Sequence, residues 1–394
     1  MTKFRIWRHF DYVLLLVTVL LTAYGVVMIY YATQGSLDPR LQDRWRRQAI
    51  LGAAGMGLIL LLAAFPRDYQ WLGDFWWLAY LLAVILLVLV LSFGQSEIGE
   101  VRAWFYLGTF GFQPSFLAMI LLTISVGAMF SRRRRRRKSP ATPLFGAPKT
   151  SLLAEETAER PDLVNYLASI VMTLVLAALI FLEPDMGTAA VLIFMWLAML
   201  FESDVPMRYL VLTSVVGLGA IYPLWKLMEL LEFGYMQQRV LGFLNPEPDY
   251  QVEQALIAIG SGGLWGHGLG RGTQSQLRYL TVRHTDFIFA VTAEELGFAG
   301  VMLLFALYLI LFLRLLRIIL IAPDAFGRLL VTGTLAMILF QAVVNIGTNL
   351  GLLPIAGLPL PFISYGPTAL LTTMIGIGIA ENVVMHHQKS EFLR

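Results

Sequence analysis

Uninterrupted apolar stretches constrain this chain before any single residue does. "YVLLLVTVLLTAYGVVMIYYA" (12–32), "WWLAYLLAVILLVLVLSF" (76–93) and "YLASIVMTLVLAALIFL" (166–182) run on without one charge. A helix needs about 20 such residues to cross a hydrocarbon core of about 30 Å. Runs of this kind recur along the chain and give about ten spans, starting near residues 12, 49, 76, 113, 164, 187, 209, 287, 329 and 366. Hydrophobic residues make up 58% of the chain and charged ones 14%, against about half and a quarter in soluble domains. The expected fold is therefore an all-α polytopic membrane protein, a single integral membrane domain over 1–394.

Charge sets the orientation. Arg132 to Lys138 supply seven cations, without which the net charge of +3 becomes −4. Directly after a span, such a run reads as a cytoplasmic loop obeying the positive-inside rule rather than as a nucleic-acid site. With an even number of spans, both termini are then expected in the cytoplasm. Residues 131–163, rich in Pro, Ser, Thr and charge toward the C-terminal end, are expected to form a disordered cytoplasmic loop. The longest outer piece is expected at 231–286, a large extracytoplasmic loop before the eighth span. Cysteine is absent, which excludes disulfides and any Cys-based metal or redox site.

Polar groups stand out against this background. "YLTVRHTDFIFAVTAEELGFAG" (279–300) opens a span with His284, Thr285 and Asp286, then carries Glu294 and Glu295 roughly two turns, about 12 Å, further in. Thr285 or Asp286 could cap the helix. Glu294 and Glu295 could pair with an Arg or face a wet cavity, since intramembrane carboxylates seek such places. Seven glycines lie between 260 and 272, which permit close backbone approach to a ligand or to another backbone. Gln341, Asn345 and Asn349 form one stripe at i, i+4, i+8, as helix–helix hydrogen bonding in lipid would use. "GLPLPFISYGP" (357–367) is a proline-rich outer segment that cannot be lipid-exposed helix. Several arginines fall on the external side against the usual bias, Arg44, Arg47, Arg102, Arg239 and Arg271 among them, a distribution suited to an anionic partner such as phosphate.

Taken together, "HTDFIFAVTAEELGFAG", "QPS" (113–115), "EPDMGT" (183–188), "QVEQALIAIGSGGLWGHGLGRGTQ" and "GLLPIAGLPLPFISYG" (351–366) resemble the SEDS family (shape, elongation, division and sporulation; RodA- and FtsW-like proteins). The motifs keep the family's order from the first span to the last. The resemblance implies a ten-span glycosyltransferase that polymerises lipid II into glycan strands outside the bacterial cytoplasmic membrane, for elongation or division, beside a class B penicillin-binding protein. The family's essential aspartate falls on Asp286, expected as general base for the acceptor hydroxyl. Candidates to bind substrate are Gln113, Asp185, Gln251, Gln254, His284, Thr285, Glu294, Glu295, Asn345, Ser364 and Tyr365. Arg47, Arg102, Arg239 or Arg271, or a bound Mg²⁺ or Mn²⁺, would meet the charge of the leaving pyrophosphate. Apolar grooves between spans would hold the polyprenyl tails, and membrane lipids surround the whole.

The chain also departs from the family pattern. QPSE with a lysine three residues on reads here with Phe116 and Met119. SYGGSS reads with Pro367, Thr368 and Ala369. The Pro-Glu before His-Thr-Asp is Thr281-Val282, and Gln-Pro-Asp is Glu183-Pro184-Asp185. Two other readings therefore stay open: a non-catalytic scaffold that activates a penicillin-binding protein, and a lipid transporter, which would place its ionisable groups near the midplane.

Overall fold

The structure, a computed structural model, describes residues 7–34, 39–64, 68–95, 103–108, 110–138, 163–203, 205–230, 234–244, 249–277 and 279–387. Its long helices are α1 (Tyr12–Thr33), α2 (Arg44–Ala64), α3 (Trp76–Phe93), α4 (Pro114–Lys138), α5 (Leu163–Leu182) and α6 (Met186–Glu202). A seventh rod is formed by α7 (Met207–Gly219) and α8 (Ile221–Leu230) in succession. After α9 (Gly234–Leu244), α10 (Tyr250–Ser261) and the single turn α11 (Thr273–Gln276) come α12 (Ile288–Ile321), α13 (Ala325–Asn349) and α14 (Pro367–Met385). Among the described residues nine helical stretches are long and apolar enough to cross a membrane, and α6 is a shorter apolar helix of 17 residues. These ten rods match the spans read from hydropathy.

The bundle has two large apolar cores, beside a small cluster of Phe10, Ala63 and Met385. One gathers α1, α12, α13 and α14 around residues such as Leu21, Leu304, Met337 and Met374, all unexposed. The other joins α3 to α6 through Leu87, Leu122, Leu176 and Trp196. α14 packs along α2, and α13 lies against α4, α6 and α12. The outward faces are apolar as well. The α7–α8 stretch that could span is open along its length apart from Met228, and α3 is mostly open, which is what lipid contact requires in place of a polar surface.

Three local features differ from expectation. α4 continues as helix through the arginine run to Lys138, so the stretch expected to be irregular from 131 is helical at first; residues 139–162 lie outside the described residues. The 231–286 segment, expected as a large extracytoplasmic loop, carries the helices α9, α10 and α11 of 11, 12 and 4 residues. A small hairpin, β1 (Phe105–Leu107) against β2 (Phe110–Phe112), pairs Phe105 with Phe112 antiparallel and was not evident from sequence.

Candidate active site

The turn carrying Asp286 is pinned from a neighbouring helix. Asn345 and Asn349, one turn apart on α13, donate from Nδ2 to the main-chain oxygen of Asp286 at 3.0 and 2.8 Å. Asn349 Oδ1 also accepts from the Ala290 amide, meeting one of the donors that the first turn of α12 leaves orphaned. Asn345 and Asn349 thus serve a turn and a helix start, while Gln341, the third residue of the stripe, reaches Met119 on the partner helix α4 at 3.8 Å. The cap position of α12 is Phe287, with no side-chain cap, so neither Thr285 nor Asp286 caps the helix. Ser364 donates to the Thr285 carbonyl at 2.6 Å and accepts from Leu360, while the Tyr365 amide donates to the His284 carbonyl. The 357–366 strap is thereby stitched to the 284–286 turn.

Above this turn opens a cavity of about 200 Å³ whose walls include Asp286, Thr285, Gln113, Tyr365, Arg44 and Trp104. Gln113 reaches from the start of α4 to donate to Asp185 Oδ2 at 2.8 Å, and Asp185 Oδ1 accepts from the Thr188 amide at the start of α6. Burial raises the Asp286 carboxyl to about 6, an effect opposed by Arg239 and the Thr285 hydroxyl and reinforced by Asp185. Burial likewise raises Asp185, against hydrogen bonds from Thr188 and Gln113 and the charge of Arg239. Asp185, Arg239 and Asp286 therefore form one electrostatic group.

Arg44 supplies the cation on the cavity wall. Its guanidinium donates to His284 Nε2 and stacks over the Tyr365 ring, 5.0 Å from the centroid. Burial, with Arg44 and Arg283 nearby, drives the His284 imidazole down to about 3. The ring is neutral at physiological pH, and its accepting Nε2 puts the ring proton on Nδ1.

The two glutamates belong to a different joint. Gly297 breaks α12 with φ 64° and ψ −165°, a conformation that strongly favours glycine. Into this break the glycine-rich loop inserts: His267 and Gly268 amides donate to the Glu294 and Glu295 carbonyls, and the Phe298 and Ala299 amides donate back to Gly263 and Leu264. A Cβ on Gly266 would lie 2.2 Å from the Glu295 oxygen, so this glycine serves backbone-to-backbone approach. Glu294 accepts from the Gln274 and Ser275 amides at 2.7 and 3.0 Å, and Glu295 from the Ser275 hydroxyl at 3.5 Å. The pair fastens loop to helix through amides and hydroxyls rather than through an arginine, and it does not line the Asp286 cavity.

Other expected binding residues separate in the same way. Asp286, Thr285, Gln113 and Tyr365 share the cavity; Asp185 and Arg239 join it electrostatically; His284, Asn345 and Ser364 shape it from behind. Gln251 ties α10 to Thr281 at 2.9 and 3.2 Å. Gln254, Arg47 and the exposed Arg271 do not line this cavity, and Arg102 lies outside the described residues. Sequence reading missed Arg44, Trp104, Phe116 and Thr368 as cavity walls. The last two had a signal: the departures Phe116, Pro367, Thr368 and Ala369 all line this cavity, and Thr368 Oγ1 accepts from the Gln113 amide at 3.0 Å. Met119, the other departure in α4, is buried and receives the Gln341 amide on its sulfur.

The sequence pattern of the FtsW/RodA/SpoVE cell cycle proteins matches residues 11–389. The chain belongs to this family. It is 35% identical over 388 residues to the peptidoglycan glycosyltransferase MrdB of Escherichia coli K12, covering 96% of this chain and 95% of that one. It is 34% identical over 389 residues to a probable peptidoglycan glycosyltransferase FtsW of Geobacter metallireducens, covering 95% of each. Among solved structures, RodA of Thermus thermophilus superposes with a TM-score of 0.64 at 30% identity, over 97% of both chains. A chain of a peptidoglycan synthase complex in which polymerization and crosslinking are coordinated superposes with 0.72 at 29% identity, over 97% of this chain and 98% of that one. The FtsW/RodA/SpoVE family is the SEDS family that the motifs indicated, and the chain is a multi-pass membrane protein like its relatives.

Proposed function

We propose that this protein is a peptidoglycan glycosyltransferase that polymerises lipid II, with Asp286 as general base. The observation that carries the reading is a single carboxylate, pinned by two asparagines, raised in basicity by burial and open to a cavity that also holds a cation. In the reaction the acceptor sugar's hydroxyl attacks the anomeric carbon of the donor. A carbon–oxygen bond forms there, the bond to the donor's pyrophosphate breaks, and the hydroxyl proton passes to Asp286. With its carboxyl near 6, Asp286 is mostly ionised at pH 7 yet a better base than a free aspartate. Arg44 on the wall and Arg239 beside Asp286 suit the charge that develops on the departing pyrophosphate.

Among the described residues no group of three or more His, Asp or Glu side chains is placed to hold a metal ion. A Mg²⁺ or Mn²⁺ would take Asp286 or Asp185 plus substrate phosphates, the usual arrangement for Mg²⁺, and would add positive charge at the leaving group. The ionisable groups around the Asp286 cavity gather at one end of α12 rather than at its middle, which favours a transferase over a transporter. We place this end outside the membrane and both termini in the cytoplasm, on the evidence of the arginine run after the fourth span and an even number of spans. The complex in which a structural relative coordinates polymerization with crosslinking supports a class B penicillin-binding protein as partner.

The test is glycan-strand formation from labelled lipid II by the purified protein, its penicillin-binding partner inactivated for crosslinking, with wild type beside Asp286→Asn. Polymer from wild type and none from the folded variant is expected. Equal product from both removes Asp286 from the mechanism; no product from either, with the complex intact, moves the function to a scaffold.

A further inference from the structure

Three of the chain's five histidines lie where its two ends come together. His9 closes a 3₁₀ turn over Trp7–His9 just before α1, and His386 and His387 follow Met385, the last residue of α14. The His9 and His387 rings stand 4.7 Å apart between centroids, edge to face at 84°. His387 Nδ1 lies 2.6 Å from the Val384 carbonyl, a group that can only accept. The ring proton is therefore on Nδ1, and Nε2 keeps its lone pair. An N–H held by a backbone carbonyl is the usual support behind a metal-binding imidazole, since it fixes both tautomer and ring direction. His386 is held the same way on the Asn382 carbonyl at 2.8 Å, but it is buried.

The spacing of the outer pair suits one shared ion. An imidazole nitrogen bonds Zn²⁺ at about 2.0–2.1 Å, which sets each ring centroid about 3.2 Å from the metal and the two centroids about 4.5–5.2 Å apart for angles of about 90–110°. The 4.7 Å between His9 and His387 falls inside that range. The end of α14 favours a cation as well, because the last carbonyls of a helix carry its negative partial charge. Imidazole donors select Zn²⁺, Cu²⁺ or Ni²⁺ over Mg²⁺ and Ca²⁺, which take oxygen.

We propose that His9 and His387 form a transition-metal site, in which one ring nitrogen from each binds a single ion and water completes its coordination. Two protein ligands make this an open, exchangeable site rather than a closed structural one. The ion staples the start of α1 to the end of α14, two helices already joined by the Asp11 amide on Glu381 Oε2 at 3.0 Å. Neither histidine lines the Asp286 cavity, so the proposal stands independently of the transferase reading.

The full chain, purified through a tag without histidine, is titrated with Cu²⁺ in micelles. Electron spin-echo envelope modulation then counts the imidazoles on the bound ion. Wild type should bind one Cu²⁺ through two imidazoles. His9→Gln and His387→Gln should each leave at most one, and weaken binding by more than the roughly tenfold that losing an outer-shell partner costs. His386→Gln, and His267→Gln in the exposed glycine-rich loop, should change neither count nor affinity. Zn²⁺ should displace Cu²⁺ and raise the melting temperature of wild type; Mg²⁺ should do neither. His9→Cys keeps a zinc ligand and should restore the Zn²⁺-dependent rise lost in His9→Gln, which a variant that had only misfolded would not do. An unchanged count and affinity in His9→Gln or His387→Gln, loss of binding in His386→Gln or His267→Gln, a single imidazole in wild type, or no binding each overturns the proposal and leaves an ordinary edge-to-face contact of two rings.

Discussion

Two clusters of buried acids sit at opposite ends of α12 and solve the same problem differently. Near the C-terminal end of α12 Asp11 accepts from Arg314 Nε and Nη2 at 2.8 and 2.5 Å, while the second Asp11 oxygen accepts from the Leu14 amide. Its own amide donates to Glu381 on α14 at 3.0 Å. That cluster clamps the start of α1 to the ends of α12 and α14. At the N-terminal end of α12 Asp286 lies within electrostatic range of Arg239 and faces a cavity. A paired carboxylate holds helices together; one left without a direct ion pair, beside open space, can take a proton. The difference teaches that buried charge alone does not mark a reactive group, and that cavity and partner must be read together.

The largest expected effects test this contrast directly. Asp286→Asn should reduce strand synthesis by about 10²–10⁴-fold, the span of a lost general base, with little change in melting temperature, because Asn345 and Asn349 bind the main chain there. Asp11→Asn should do the opposite. Breaking a buried ion pair costs roughly 3–5 kcal/mol, so its melting temperature should fall while activity per folded molecule stays near wild type. Thermal unfolding and polymerisation measured on both variants decide it. If Asp286→Asn melts like Asp11→Asn, the Asp286 cluster is a clamp as well. Activity of wild type should also rise with unit slope up to about pH 6 and level off above, because Asp286 must lose its proton to act and burial has raised it to about 6; a profile flat from pH 5 to 8 would exclude it as the base.

A smaller effect belongs to Arg44. Arg44→Gln should lower kcat/KM by about 10²-fold, the lower end of what losing one group that faces developing charge costs, and Arg44→Lys should recover only part of this, since Lys lacks the planar fork. Full recovery by Lys would make Arg44 a general positive charge rather than an oriented donor.

Much of this was legible in sequence and some could not be. Span count follows from run length, a local property, and Asp286 stood out because a charge beside an apolar run has few uses. Asp11 and Arg314 are 303 positions apart, and nothing in either segment names the other. Glu294 and Glu295 read as intramembrane acids of unknown purpose because their partners lie in a loop 19 to 20 residues earlier, whose fold depends on the break at Gly297. Arg44 was one of several external arginines; only the turn of α2 against His284 and Tyr365 selects it for the cavity wall.

The smallest effect concerns Glu183, where the family pattern has glutamine. Its carboxyl is buried with neither oxygen hydrogen-bonded, unlike Asp11 or Asp185. Burial first, and the nearby Asp185 second, push it up to about 9. The folded chain thus keeps a proton that an exposed glutamate releases near 4.5, so this group's contribution to stability is lost as pH rises from about 4.5 to about 9. Asp286 acts in the same direction up to about pH 6. Glu183→Gln preserves shape and removes the ionisation. Its melting temperature should exceed wild type by a few degrees at pH 8, the gap closing toward pH 5. A pH-independent gap would show that Glu183 does not titrate in this window. A lower melting temperature at every pH would mean that the acid is held by contacts glutamine cannot make, and would place Glu183 with clamping groups such as Asp11 rather than with the site.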